Sequence, residues 1–286
     1  MSRMQAVAEP PSFVFQIIIT IVGLLIIYSV MTLIDKSMSA YNSADQTTAV
    51  LIQDTTQDTS IIPQSPQSGA PLIYPSTNQA AGIEFSYSLF LNISSDTFTT
   101  SSGSTCATDS SAAPTVLKHI FSKGTAKSFP LMAPGLFCRA DKNTMRVYMN
   151  TVDSWNNFVD VDNIPIGKWF HLALVLQGNI MKIIINSNIT QTIQFRTIPK
   201  INYGPVFVLN NRHFPDGSSS VKPDFIVDGA AKAMLSRLQY FAYALNGSQI
   251  DGLYRQGPSS KMSGATVTQI VPYMTDTWWL GQTPGK

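Results

Sequence analysis

Two hydrophobic patterns divide the chain. From Phe13 to Ile34, 22 consecutive residues carry no charge and are apolar on every side. At 1.5 Å per residue, a helix of that length covers the ~30 Å hydrocarbon core of a bilayer. Gln16, Thr20, Ser29 and Thr32 interrupt the run, and Glu9 and Asp35–Lys36 bracket it. The pattern predicts a transmembrane helix over 13–34, anchored by Phe13, Ile17, Ile21, Leu24, Leu25 and Ile34. A cleaved signal peptide fits less well, because its apolar core runs to only about 7–15 residues and MSAYNSADQ is a poor cleavage site.

Beyond the helix the period changes. Ile83, Phe85, Tyr87, Leu89, Leu91 and Ile93 alternate with Glu84, Ser86, Ser88 and Asn92, and Phe90 alone breaks the order. Period two predicts a strand with one buried face. Shorter strands are predicted around His119–Ser122, Met145–Met149, Val206–Leu209 and Leu238–Ala242. Trp169 to Leu176 is almost continuously apolar, as in a strand covered on both faces. Gly178-Asn179 and Asn186–Asn188 then make turns to Met181–Ile185 and Ile189–Phe195. One short helix is predicted over Ser248–Gln256, capped by Ser248 and ended by Gly257. Many short strands with frequent turns predict a mostly β fold, a two-sheet antiparallel jelly-roll sandwich.

These patterns give five regions: a short N-terminal tail over 1–12, the helix over 13–34, a spacer over 35–80, the sandwich over 81–258 and a tail over 259–286. The spacer is rich in Ser, Thr, Gln, Asp and Pro, with apolar breaks only at Val50–Ile52 and Ile61–Ile62, and reads as extended chain. The tail ends in MTDTWWLGQTPGK, whose Trp278, Trp279 and Leu280 are expected to dock on the sandwich.

Charge adds a direction. No Lys or Arg occurs from Ser37 to Leu117, and 17 of the 19 basic residues lie from Lys118 onward. With Arg3 ahead of the helix and only Lys36 just after it, the positive-inside bias predicts a cytoplasmic N-terminus. Sequons at Asn92, Asn188 and Asn246 fit that topology and add little to it. No run of adjacent basic residues exists, which argues against nucleic acid as a partner. Cys106 and Cys138 either pair in an oxidising compartment or stay free.

Two stretches resemble a known family. In IPIGKWFHLALVLQGNIMKIIINSNITQTI, the residues Gly167, Trp169 and His171 resemble the central hairpins of laminin-G-like domains of the concanavalin A-like lectin/glucanase superfamily, with Ser187 where that family has Gly. In MLSRLQYFAYALNGSQIDGLYRQGP, the positions Leu238, Tyr240, Ala244, Leu245, Ile250, Leu253, Tyr254 and Gly257 resemble the family's closing strand and helix. The likeness implies a jelly roll over 82–258, with His171 a packing residue beside Trp169. In style the chain also resembles membrane-anchored proteins of large algal and protist DNA viruses.

Catalytic chemistry is hard to build from this composition. A glycosidase needs two flanking carboxylates, yet the chain has only Glu9 and Glu84, and Glu9 lies ahead of the membrane helix. Asp160 and Asp162 share a strand face but lead into Asn163-Ile-Pro165, and either would need a strongly raised pKa. Three widely spaced histidines exclude a His-x-x-x-His zinc motif. No cofactor is expected, with Ca²⁺ left open at rim aspartates Asp160, Asp162 and Asp216, or Asp224 and Asp228. Asp153, Trp155, Asn156 and Asn157 form the one cluster that pairs an aromatic platform with polar groups, as glycan sites do. The expected function is therefore non-enzymatic: a membrane-anchored structural or interaction protein, such as a minor capsid or virion membrane protein of a large DNA virus. Its expected partners are the bilayer and other structural proteins. The alternative is a membrane-tethered, lectin-like protein whose partners are glycans, bound with or without Ca²⁺.

Overall fold

The uncharged run folds as helix α1 (Phe13–Thr47) in a computed structural model that describes residues 13–76, 83–98, 114–124, 131–214 and 224–263. None of the span Phe15–Lys36 is buried within the protein, and that span is long and apolar enough to cross a membrane. The helix does not stop at Ile34. Ser37 to Thr47 holds no Pro or Gly, and extending a helix already formed costs far less than starting one.

The segment expected as spacer supplies two strands, β1 (Thr48–Ile52) and β2 (Ser60–Ile62). These are the two apolar breaks of the sequence, and each buries residues: Ala49, Leu51 and Ile62 belong to the core. Further strands are β3 (Glu84–Ile93), β4 (Thr115–Lys123), β5 (Gly135–Arg139), β6 (Thr144–Tyr148) and β7 (Phe158–Asp162). They continue with β8 (Phe170–Gln177), β9 (Ile180–Ile185), β10 (Asn188–Gln194), β11 (Val206–Val208), β12 (His213–Phe214), β13 (Phe225–Ala230) and β14 (Ala233–Phe241).

They form a two-sheet sandwich. One sheet runs β1-β14-β3-β8-β9-β10, all antiparallel. The other runs β12-β13-β4-β5-β6-β7, with β11 joining β4 to β2. Its pairs are antiparallel except β13 with β4. The alternation of β3 places Leu89, Leu91 and Ile93 between the sheets, against Phe121, Leu136, Met145 and Val147 of the second sheet. Strand β8 is apolar on both faces because both are covered: Leu172 and Leu174 enter the main core, while Ala173 and Val175 lie under α2 (Gly247–Gln256).

Several local details depart from the sequence reading. Helix α2 is capped by Asn246 rather than Ser248: its side chain accepts from the Gln249 amide at 2.9 Å, and Gln249 returns the bond. His171 is a buried packing residue, as the resemblance implies: it lies on Phe90, with ring centroids 4.9 Å apart, and faces Tyr254 at 6.1 Å, and its Nε2 is 2.8 Å from Ser88 Oγ. The sandwich also extends past Pro258, because Thr55 bonds to Lys261 and Ser263. Asn186 and Ser187 both hold positive φ, so the β9–β10 turn keeps a left-handed conformation without the family's glycine. Cys138 is a free, buried thiol, pushed up in pKa by burial. Cys106 and the Trp278–Leu280 stretch lie outside the described residues.

Candidate functional site

The proposed sugar-binding cluster sits in the loop between β6 and β7 and is knit to itself. Asp153 accepts from Thr151 Oγ1 at 2.6 Å and from the Thr197 hydroxyl, and these bonds hold its carboxyl below the usual range. Asn157 Nδ2 donates to Thr151 Oγ1 at 2.8 Å, and Asn156 Nδ2 to Asp224 at 3.2 Å. Trp155 is half-buried, with its ring 6.2 Å from Phe225. The polar groups that a sugar would need thus close the loop, and the indole helps cover a second apolar cluster on the outer face of the second sheet. That cluster contains Leu117, Phe137, Tyr148, Phe225 and Val227.

Asp160 and Asp162 do share a face of β7, pointing away from the core. Asp160 receives a forked pair from Arg146, Nε at 2.6 Å and Nη2 at 2.8 Å, and Arg139 lies 3.7 Å away. The Arg146 guanidinium stacks 3.9 Å from the Phe158 ring centroid. Burial opposes the Arg146 charge, but its bonds to Asp160 and Tyr148 outweigh that and push its pKa up. Asp162 accepts from Thr144 Oγ1 at 2.5 Å and from Lys142 at 3.4 Å, which together hold its pKa low. That is the opposite of what a general acid requires.

The remaining calcium candidates are similarly engaged. Asp228 pairs with Lys118 at 2.7 Å and faces His213 at 3.3 Å, and Asp224 accepts from Asn156. Among the described residues no three His, Cys, Asp or Glu side chains converge on a point where a metal would fit. Asp216 lies outside the described residues.

The opening that a ligand could enter is elsewhere. A groove of about 480 Å³ lies at the end of the sandwich where β3 finishes and β14 begins, with equally polar and apolar walls. Gln57, Thr59, Asn92, Ser94, Asn211 and Lys232 supply its polar groups. Thr59 and Asn211 are committed to the backbone of Leu209 and Ala230. Gln57, Asn92 and Lys232 have no side-chain partner among the described residues, so two amides and an ammonium remain available to a polar ligand. Sequence reading missed this groove because its walls come from four separate stretches of chain that only the sheet order brings together. The lone signal was the polar run Gln57–Ser60, read as spacer.

No model of a known protein family matches the chain, and no curated protein matches it. Solved structures are similar only distantly. The receptor binding domain of botulinum neurotoxin C/D mosaic serotype is 13% identical with a TM-score of 0.42, over 60% of this chain and 36% of that one. The serotype D ligand binding domain in complex with N-acetylneuraminic acid is 13% identical with a TM-score of 0.44, over 73% of this chain and 41% of that one. Trypanosoma rangeli sialidase with 2,3-difluorosialic acid is 11% identical with a TM-score of 0.42, over 74% of this chain and 28% of that one. The chain therefore spans well under half the length of these proteins, and nothing about its ligand or activity follows from likenesses of this size.

Proposed function

We propose that the chain is a membrane-anchored, non-catalytic protein that works by contact: the helix holds a sandwich at a bilayer surface, and the sandwich binds other components of an assembly. The observation that carries this reading is a helix whose bilayer-length span Phe15–Lys36 has no buried residue and which runs without a break into an edge strand of the sheet. The engaged carboxylates support the non-catalytic part: Asp160 and Asp162, which share a strand face, are fixed by arginine, lysine and threonine. The resemblance in style to viral membrane proteins supports a finer assignment, a minor capsid or virion membrane protein of a large DNA virus. Particle purification tests it. The chain is expected to co-purify with membrane-bounded particles at fixed stoichiometry, and its recovery only in particle-free fractions would overturn the assignment.

A second reading, a membrane-tethered lectin, is favoured by Gln57, Asn92 and Lys232 in the polar groove, which have no side-chain partner among the described residues. A glycan array probed with the full chain in detergent, with and without chelator, tests it. Saturable binding lost in Asn92→Ala would support it, and an empty array would remove it.

A further inference from the structure

A second cavity lies at the opposite end of the sandwich from the polar groove. Its volume is about 160 Å³, and Tyr74, Phe85, Tyr87, Tyr203 and Tyr240 form much of its largely apolar wall. The end is defined by topology: Phe85 and Tyr87 open β3, Tyr240 closes β14, and the neighbouring Phe241 pairs with Thr48, the first residue beyond α1. The cavity is therefore at the end where the apolar helix joins.

Lys123 also lines this cavity and is only 4% exposed. Its ammonium donates to the carbonyls of Asn202 at 2.7 Å and Gly204 at 3.1 Å. No carboxylate among the described residues pairs with it. Glu84, the acid nearest along β3, belongs to the opposite face of that strand from Phe85 and Tyr87. An ammonium has three N–H donors, so one is left over. A buried cation without a counter-charge costs several kcal/mol, and the cavity opens to the surface past Tyr74 and Tyr203, so a ligand can reach it. A dry cavity of about 150 Å³ is known to hold a benzene ring.

We propose that this cavity binds a small carboxylic acid with an apolar body, a single aromatic ring or an acyl chain. The carboxylate takes the remaining Lys123 N–H, and the apolar body packs on Phe85, Tyr87 and Tyr240. The segment carrying Gln64 and Tyr74 forms the outer wall, pinned by Tyr240 Oη to the Tyr74 carbonyl at 2.7 Å and by the Ile73 amide to Gln64 at 2.8 Å. The acid has two possible sources: solution, or fatty acid from the adjoining bilayer.

The test uses the full chain in lipid nanodiscs. Phenylacetate and octanoate are titrated from solution, and oleate is introduced in the lipid, each against its neutral amide. Occupancy is read as protection of Lys123 from acetylation, by peptide mass spectrometry. At least one acid is expected to protect Lys123 at concentrations tenfold or more below its amide, and isothermal titration calorimetry is expected to show Lys123→Met binding that acid tenfold or more weaker than the wild type. Protection by phenylacetate or octanoate alone assigns a soluble ligand, and protection by oleate alone a lipid one. Equal protection by acid and amide, or no protection by any acid at millimolar concentration, overturns the proposal whether or not Lys123→Met folds.

Discussion

Thr48, the first residue after the apolar helix, lies directly opposite Phe241 in the sheet, and the Ala242 amide donates to the Thr47 carbonyl at 2.8 Å. The helix is therefore tied to the sandwich by ladder hydrogen bonds rather than by a free tether. Strand β1 covers what would otherwise be an open edge of β14.

This makes the start of the domain testable. A fragment over 48–263 is expected to fold cooperatively, whereas one over 81–263 lacks β1 and β2 and exposes the edge of β14. Within the longer fragment, Leu51→Ala is expected to cost about 2–4 kcal/mol, as large-to-small core changes do. Urea unfolding followed by circular dichroism measures both. Equal stability of the two fragments would restore 35–80 to the role of spacer.

Acid should unfold the sandwich. His119 is buried, with Nδ1 accepting from the Asn210 amide at 3.1 Å and Nε2 2.9 Å from Ser122 Oγ; burial first, then nearby Arg212, lowers its pKa to about 3. Burial lowers that of His171 to about 4. In the unfolded chain both titrate near 6.5, so on acidification the unfolded state takes up protons first. Stability is full above pH 6.5 and falls as pH drops toward 4, by at most about 1.4 kcal/mol per unit for each histidine. Urea midpoints at pH 7 and pH 5 check this, and His119→Gln should flatten the slope.

Lys123 gives the reverse dependence. Burial lowers its pKa from 10.5 to about 8, so the penalty for its charge in the fold is complete below pH 8 and is relieved as pH rises toward 10.5. Tyr87, Tyr148 and Tyr240 titrate higher in the fold than in the unfolded chain, chiefly through burial, and oppose this only above pH 10. Wild type should therefore gain about 2 kcal/mol on Lys123→Met between pH 7.5 and pH 9.5. A pH-independent difference would mean the ammonium is solvated.

The Arg146–Asp160 pair is structural on this view. Arg146 is 5% exposed, so Asp160→Asn leaves a buried guanidinium without its counter-charge and should cost about 2–4 kcal/mol. Replacing both partners, Arg146→Met with Asp160→Leu, should recover much of that loss. A double variant no more stable than Asp160→Asn would show that the fork itself contributes the stability.

What could be read from the sequence follows from where the physical signal is local. Strand β3 announces itself because its alternation runs over ten residues, and β8 because both its faces are covered. Strand β5 was missed: five residues, GLFCR, are too few to show a period. Strands β1 and β2 were missed for the same reason, since Leu51 and Ile62 are short apolar signals inside a polar run and become core residues only when β14 and β11 arrive from far along the chain. The acids of β7 were found by their spacing, but their partners Arg146 and Thr144 lie one strand away, so the sequence offered carboxylates while the fold holds ion pairs. The polar groove and the Lys123 cavity had no local signature, because each is assembled from chain ends of several strands.

The most direct measurement is alkaline carbonate extraction of membranes from cells producing the full chain, with the intact mass of the recovered protein. The full-length polypeptide is expected in the membrane pellet with residues 13–36 still attached. Recovery in the supernatant, or of a chain cut just after the apolar helix, would contradict a bilayer anchor and leave a released sandwich instead.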